Sequence, residues 1–214
     1  MIKPPTPLIL IQINAEPTVA AEGNFYFLEY LEFKLYRYNL NAFIKFEREN
    51  DEVSDRFQET SERIQEICGL LEHLYPRLYS HVSRQLKVTL RTEVIICDVF
   101  RSFCRSLFKT GTSWPRIVAM FAFASGIIVD CIREHRPEFA RTVVYCVKAF
   151  IEDNLASWIK DQGGWENISE HFQHSGQVDT WYDVITSFPC LLWSSLFVLR
   201  TKIGIFVAML KGSR

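Results

Sequence analysis

The sequence predicts an all-α globule of seven or eight helices wrapped around one buried helical hairpin. Three observations carry that expectation. Apolar residues recur at spacings of three and four through most of the chain, no period-two alternation flanked by hairpin turns is visible, and residues 117–129 contain no charge on any face. The 214 residues, 48% hydrophobic and 23% charged, suffice for one domain that buries roughly 70% of its unfolded surface. Intrinsic disorder and low-complexity architectures are excluded.

A leader over residues 1–24, containing proline, alanine and glycine, is read as flexible. Its apolar run LILIQI is too short and too closely preceded by prolines for a signal-peptide core, so no secretory export is expected. Phe25, Leu28, Leu31, Leu35, Tyr38 and Phe43 then form an amphipathic stripe, with Asn24 as its N-cap. The charged stretch 47–62 reads as a solvated connector. A second helix carries Ile64, Ile67, Leu71, Leu74 and Leu78 on one face, and Pro76 ends or kinks it. Val94, Val99, Phe103 and Leu107 continue the helical spacing, and the glycine of KTGT marks a stop.

Residues 113–129 form the predicted centre. Ser113 and Pro115 open a helix whose thirteen residues Ile117 to Val129 lie between Arg116 and Asp130. An element apolar all round must be surrounded, and this run alone is shorter than the ~20 residues a bilayer requires. After the EHRP turn, Glu138 to Lys160 carries Phe139, Val143, Val147, Phe150, Ile151, Leu155 and Trp158, giving an antiparallel second arm. Gly163 and Gly164 permit a sharp reversal before a short helix in WENISEHF. The bundle is expected to occupy residues 25–175.

The last segment, residues 181–211, reads as a hydrophobic tail helix. Between Val184 and Leu210 stand fourteen Leu, Ile, Val or Phe residues, among them Leu191 and Leu192 beside Trp193. Their insertion contributes roughly −4 to −8 kcal/mol, while Arg200 and Lys202 cost about +5 to +7 kcal/mol together. The near-zero sum predicts a conditional membrane anchor whose basic pair can snorkel.

Function classes narrow by chemistry. A formal charge of −1 supplies no field for general nucleic-acid binding. The six cysteines are far apart in sequence, without a C-x-x-C pair, and read as buried reduced thiols. His171 and His174 lack a third ligand at metal-site spacing, so neither metal nor cofactor is expected. Nucleophile-elbow, zincin and phosphate-loop signatures are absent, and the chain is read as a non-enzyme.

Two motifs carry a family resemblance. SWPRIVAMFAFASGI (Ser113 to Ile127) resembles the first homology region of the Bcl-2 family, and WIKDQGGWENI (Trp158 to Ile168) resembles its second. Tyr79 to Leu86, Gly126 to Glu134 and Leu155 to Trp165 are similar to a pore-forming, pro-apoptotic branch of that family. The resemblance implies a groove at Ser113, Trp114, Arg116, Ile117, Val118 and Phe121, with Arg116 pairing to an aspartate of a bound death helix (BH3). It implies a second region at Trp158, Gly163, Gly164 and Trp165, where packing outweighs any contribution to the groove. The third region, on Ile64, Ile67, Leu71 and Leu74, is degenerate. Tyr75 and Pro76 stand where the family has a small residue and an aspartate, so this stripe reads as core. The resemblance further implies Bcl-2-family or BH3 partners, self-association at membranes, and residence in the cytoplasm and at mitochondrial outer or endoplasmic-reticulum membranes. Two functions follow from it: an oligomerising effector that permeabilises membranes, or a groove-bearing adaptor or survival protein that forms no pore.

Overall fold

The structure, a computed structural model, describes residues 9–13, 18–48, 52–79, 81–86 and 90–173. At its centre is α6 (Trp114–Arg133), entered through Ser113 with Pro115 in the first turn, where the missing amide proton leaves no bond unmade. From Ile117 to Ile132 every residue of α6 is buried. The helix runs for 20 residues, longer than its uncharged stretch suggests, because Trp114 to Arg116 extend one end and Asp130 to Arg133 the other. The second arm descends in pieces: a 3-10 turn (Pro137–Phe139), α7 (Ala140–Phe150), one π-type turn (Ile151–Leu155) and α8 (Ala156–Asp161). Trp114, at the start of the first arm, meets Trp158, near the end of the second, edge to face at 5.1 Å. The arms are therefore antiparallel, as the sequence predicts.

Around this hairpin lie α1 (Val19–Arg37), α2 (Glu52–Leu74), α3 (Pro76–Tyr79), α4 (Val82–Leu86), α5 (Glu93–Leu107) and α9 (Asn167–Gln173). Pro76 separates α2 from α3, as its missing donor and its effect on Tyr75 dictate. α5 starts at Thr92, whose side chain accepts the Ile95 N–H at 3.3 Å. Its inward face is Ile96, Val99, Phe100, Phe103, Cys104 and Leu107. Val94, expected on that stripe, is 64% exposed. Phe103 stacks on Phe123 of α6 at 3.6 Å, an aromatic seam between wrapper and centre.

Several expectations are corrected. The leader contains a strand, β1 (Ile9–Ile13), pairing in parallel with β2 (Ile44–Arg48), Ile9 opposite Ile44. Ile9, Ile11 and Ile13 alternate inward, so period two is present after all. A parallel partner needs a crossover element rather than a hairpin turn, and α1 supplies it. The first helix begins at Val19, with Thr18 accepting from the Ala21 N–H at 3.1 Å, instead of at Asn24. Its first turns bury small residues, Ala20, Ala21 and Gly23, which large-residue periodicity overlooks. The connector assigned to residues 47–62 is largely α2: its charges form a solvated helical face with Gln58–Glu62 and Arg63–Glu66 bonds, while Phe57, Thr60, Ser61 and Ile64 point inward. Cys97 and Cys146, distant in sequence, have Sγ atoms 3.0 Å apart.

Close approach fixes where α3 and α4 cross the centre. A Cβ on Gly126 of α6 would lie 2.7 Å from the Tyr79 carbonyl oxygen and 3.0 Å from Val82 Cγ2. Gly126→Ala gains about 1 kcal/mol of helix propensity but forces a backbone shift costing about 1–3 kcal/mol. The expected result in thermal unfolding is a net destabilisation, with an unchanged or raised midpoint arguing against this packing.

Candidate functional site

The residues of the two family-like motifs converge on one tryptophan cluster. Gly163 and Gly164, both at φ 92°, reverse the chain after α8, a left-handed geometry that glycine adopts without a Cβ penalty. That reversal swings Trp165 back against Trp114 (5.8 Å between ring centroids), Phe121 (6.0 Å) and Tyr26 of α1 (5.5 Å). Trp165 is fully buried, and its Nε1–H donates to the Val19 carbonyl at 2.8 Å. Gly23 makes room for it, since a Cβ there would sit 2.4 Å from Trp165 Cζ2. The cluster therefore ties the start of α1 to both ends of the hairpin.

The structure places the remaining sequence-predicted residues as follows. Trp114, Ile117, Val118 and Phe121 are buried on α6, and Trp158 is half-buried. Ser113 caps α6 through its backbone carbonyl, which accepts the Ile117 N–H, without a side-chain cap bond. Arg116 is half-buried, and its guanidinium folds back on the preceding loop, donating to the Gly111 carbonyl and, at 2.6 Å, to Thr110 Oγ1. Its local bonds occupy donors that the resemblance assigns to a ligand carboxylate. Ile64, Ile67 and Leu71 are buried on the face of α2 that packs against α6, with Leu74 at the edge. Leu191, Leu192, Trp193, Arg200 and Lys202, and the tail helix they belong to, lie outside the described residues.

A polar network between α1, α2 and α6 is absent from the sequence reading. Lys34 Nζ, 1% exposed, pairs with Glu72 Oε1 at 2.5 Å and donates to Ser125 Oγ at 2.9 Å. Tyr30 Oη donates to the same Glu72 oxygen, and Ser125 Oγ donates to the Ala122 carbonyl. Burial lowers the Lys34 ammonium from its ordinary range, opposed by the Glu72 carboxylate. Burial likewise raises the Tyr30 phenol, keeping it a neutral donor. Glu72 follows Leu71 directly, so the stripe of Ile64, Ile67 and Leu71 carries a buried charge pair beside its apolar packing on the core. The only signal in the sequence is a serine inside an uncharged helix and a lysine on the apolar stripe of another. A second contact of this kind joins α6 to α4: buried Asp130 accepts the Ser83 N–H at 2.8 Å.

With this geometry in place, comparison with known proteins is specific. Residues 64–165 match the model of the Bcl-2 family of apoptosis regulator proteins. The chain is 34% identical over 100 residues to the Bcl-2-related ovarian killer protein (Bok) of Gallus gallus, covering 47% of each. It thus spans about half the length of the curated relatives it matches. The crystal structure of chicken BOK superposes with a TM-score of 0.63 at 26% identity, over 72% of this chain and 98% of that one. A Trichoplax adhaerens protein, trBcl-2L2, solved bound to trBak BH3, shares the fold with a TM-score of 0.61 at 24% identity, over 72% of this chain and 97% of that one. The helical hairpin wrapped by amphipathic helices, the tryptophan cluster and these likenesses agree: residues 64–165 form a Bcl-2 family domain similar to that of Bok proteins.

Proposed function

We propose that this chain is a Bok-like apoptosis regulator, and that it acts as an effector: it oligomerises at mitochondrial outer or endoplasmic-reticulum membranes and permeabilises them. One observation carries this reading. α6 is long and apolar enough to cross a membrane, yet 94% of its most apolar window is buried inside the globule. Such a helix is stable in water only while α1, α2 and α5 cover it, and loosening of the wrapper transfers the hairpin to lipid. The similarity to Bok proteins supports the same direction. No catalytic or cofactor chemistry enters this mechanism.

Dye release from vesicles containing anionic lipid tests it. Full-length protein is expected to release dye in a concentration-dependent way. Absence of leakage at every concentration, together with tight BH3-peptide binding, would leave the adaptor or survival reading in its place. That second reading is favoured by Tyr75 and Pro76 after Leu71, which weaken the chain's own death helix, and by the BH3 partner of the Trichoplax relative. Under both readings a BH3 helix is the partner, and Arg116 turns from Gly111 and Thr110 to meet its aspartate. Arg116→Ala is then expected to weaken peptide binding by roughly tenfold or more, the range of one charge-assisted hydrogen bond. Calorimetric titration checks this, and unchanged affinity would remove Arg116 from the interface.

A further inference from the structure

Cys97 and Cys146 are absorbed neither by the tryptophan cluster nor by the buried charge network. Cys97 stands in the second turn of α5, and Cys146 stands midway along α7, the second arm of the hairpin. Their Sγ atoms are 3.0 Å apart, about one ångström beyond bonding distance. The surrounding interface is apolar and firm: Phe150 packs against Phe100 at 6.1 Å and against Phe108 at 5.4 Å. The two thiols, 49 residues apart in sequence, therefore face each other across a packed seam between α5 and α7.

A pocket of about 200 Å³ opens beside Cys146, with Phe150 in its wall and Arg101, Arg105, Asp153 and Asn154 around it. Cys97 is half-buried and Cys146 buried. Burial and the neighbouring Cys97 push the Cys146 thiol up to about 12. The more exposed Cys97 is therefore the first to react, and Cys146 the resolving partner.

We propose that Cys97 and Cys146 form a redox pair, which a small-molecule disulfide oxidises to an intramolecular disulfide that staples α5 to α7. The Cys97 thiolate attacks one sulfur of the reagent, making a mixed disulfide and expelling one thiolate. Cys146 then loses its proton and attacks the Cys97 sulfur, forming the Cys97–Cys146 bond and expelling the second thiolate. Two protein thiols are oxidised, and one disulfide is reduced to two thiols. The bond closes a long loop, so it stabilises the folded chain chiefly by restricting the unfolded one.

Full-length protein incubated with oxidised glutathione, then alkylated and digested without reductant, is the test. The expected product is a peptide pair joined through Cys97 and Cys146, lighter by two hydrogen atoms than the reduced pair. Its unfolding temperature should rise by roughly 5–10 °C and return to the starting value on reduction. Cys97→Ser and Cys146→Ser should each abolish both changes, and Cys104→Ser should preserve them. Quantitative alkylation of Cys97 and Cys146 after oxidation, or a bond from either to Cys104 instead, would overturn the assignment. Direct peptide mapping of the unmutated chain keeps that outcome readable even if a serine variant fails to fold.

Discussion

Glu72→Ala is expected to destabilise the protein by about 3–5 kcal/mol, the cost of leaving one member of a buried ion pair uncompensated. In a domain of this size that lowers the unfolding midpoint by roughly 6–20 °C. The reason is geometric. Lys34 is 1% exposed, and its ammonium would keep Ser125 Oγ at 2.9 Å and the Ala122 carbonyl at 3.5 Å as acceptors but no neighbouring carboxylate in direct contact. Tyr30 would lose its acceptor as well. Removing both charges together, as in a Lys34→Met, Glu72→Leu double variant, should recover much of the loss, because apolar side chains of similar volume need no partner. A single-variant loss below about 1 kcal/mol, the range of an exposed pair, would show that water reaches the site. The pair also bears on the proposed opening of the bundle. Releasing α2 from α6 exposes Lys34 and Glu72 to solvent, which removes their desolvation cost and makes the opened state less unfavourable than apolar packing alone would leave it.

Trp165→Ala carries the other large effect, about 3–5 kcal/mol for truncating a buried tryptophan. The ring is enclosed by Trp114, Phe121 and Tyr26. Gly23 brings the α1 backbone so close to it that no side chain fits between. Collapse of α1 into the void is limited, because the same stretch of α1 is held by the Thr18 cap and by packing on the hairpin. Trp165→Phe separates the contributions: most packing remains, while the Nε1 bond to the Val19 carbonyl is lost, for about 1 kcal/mol. Chemical denaturation of the two variants checks the ordering, and an alanine variant no worse than the phenylalanine one would contradict it.

The centre of this fold was legible because its pattern is extreme. An uncharged run between Arg116 and Asp130, with Ser113 and Pro115 ahead of it, admits few readings other than a surrounded helix, and a double glycine before Trp165 marks a reversal. The homology motifs singled out Trp114, Phe121, Trp158 and Trp165, which the structure brings together, although they did not reveal where Arg116 reaches. Its reach to Gly111 and Thr110 depends on a loop whose course local periodicity does not encode. Long-range pairings were equally hidden. The alternation of Ile9, Ile11 and Ile13 acquires meaning only with Ile44 beside it, across the whole of α1. Lys34 reads as a solvated lysine until Glu72 and Ser125 are placed around it, and Cys97 reads as a lone thiol until α7 brings Cys146 to it. The start of α2 was missed for another reason: a charged sequence suits a solvated helical face as well as a connector, and Phe57 and Ile64 settle the matter only by packing.

Hydrogen exchange of the full chain, in buffer and on anionic vesicles, tests the central claim most directly. In buffer the amides of residues 117–129 should be the slowest to exchange, opening only with global unfolding. On vesicles those amides should stay protected while α2 and α5, which cover them in water, lose protection. Vesicle-bound protein that releases dye while every helix keeps its solution protection would contradict the account, because the buried hairpin would then have no part in permeabilising the membrane.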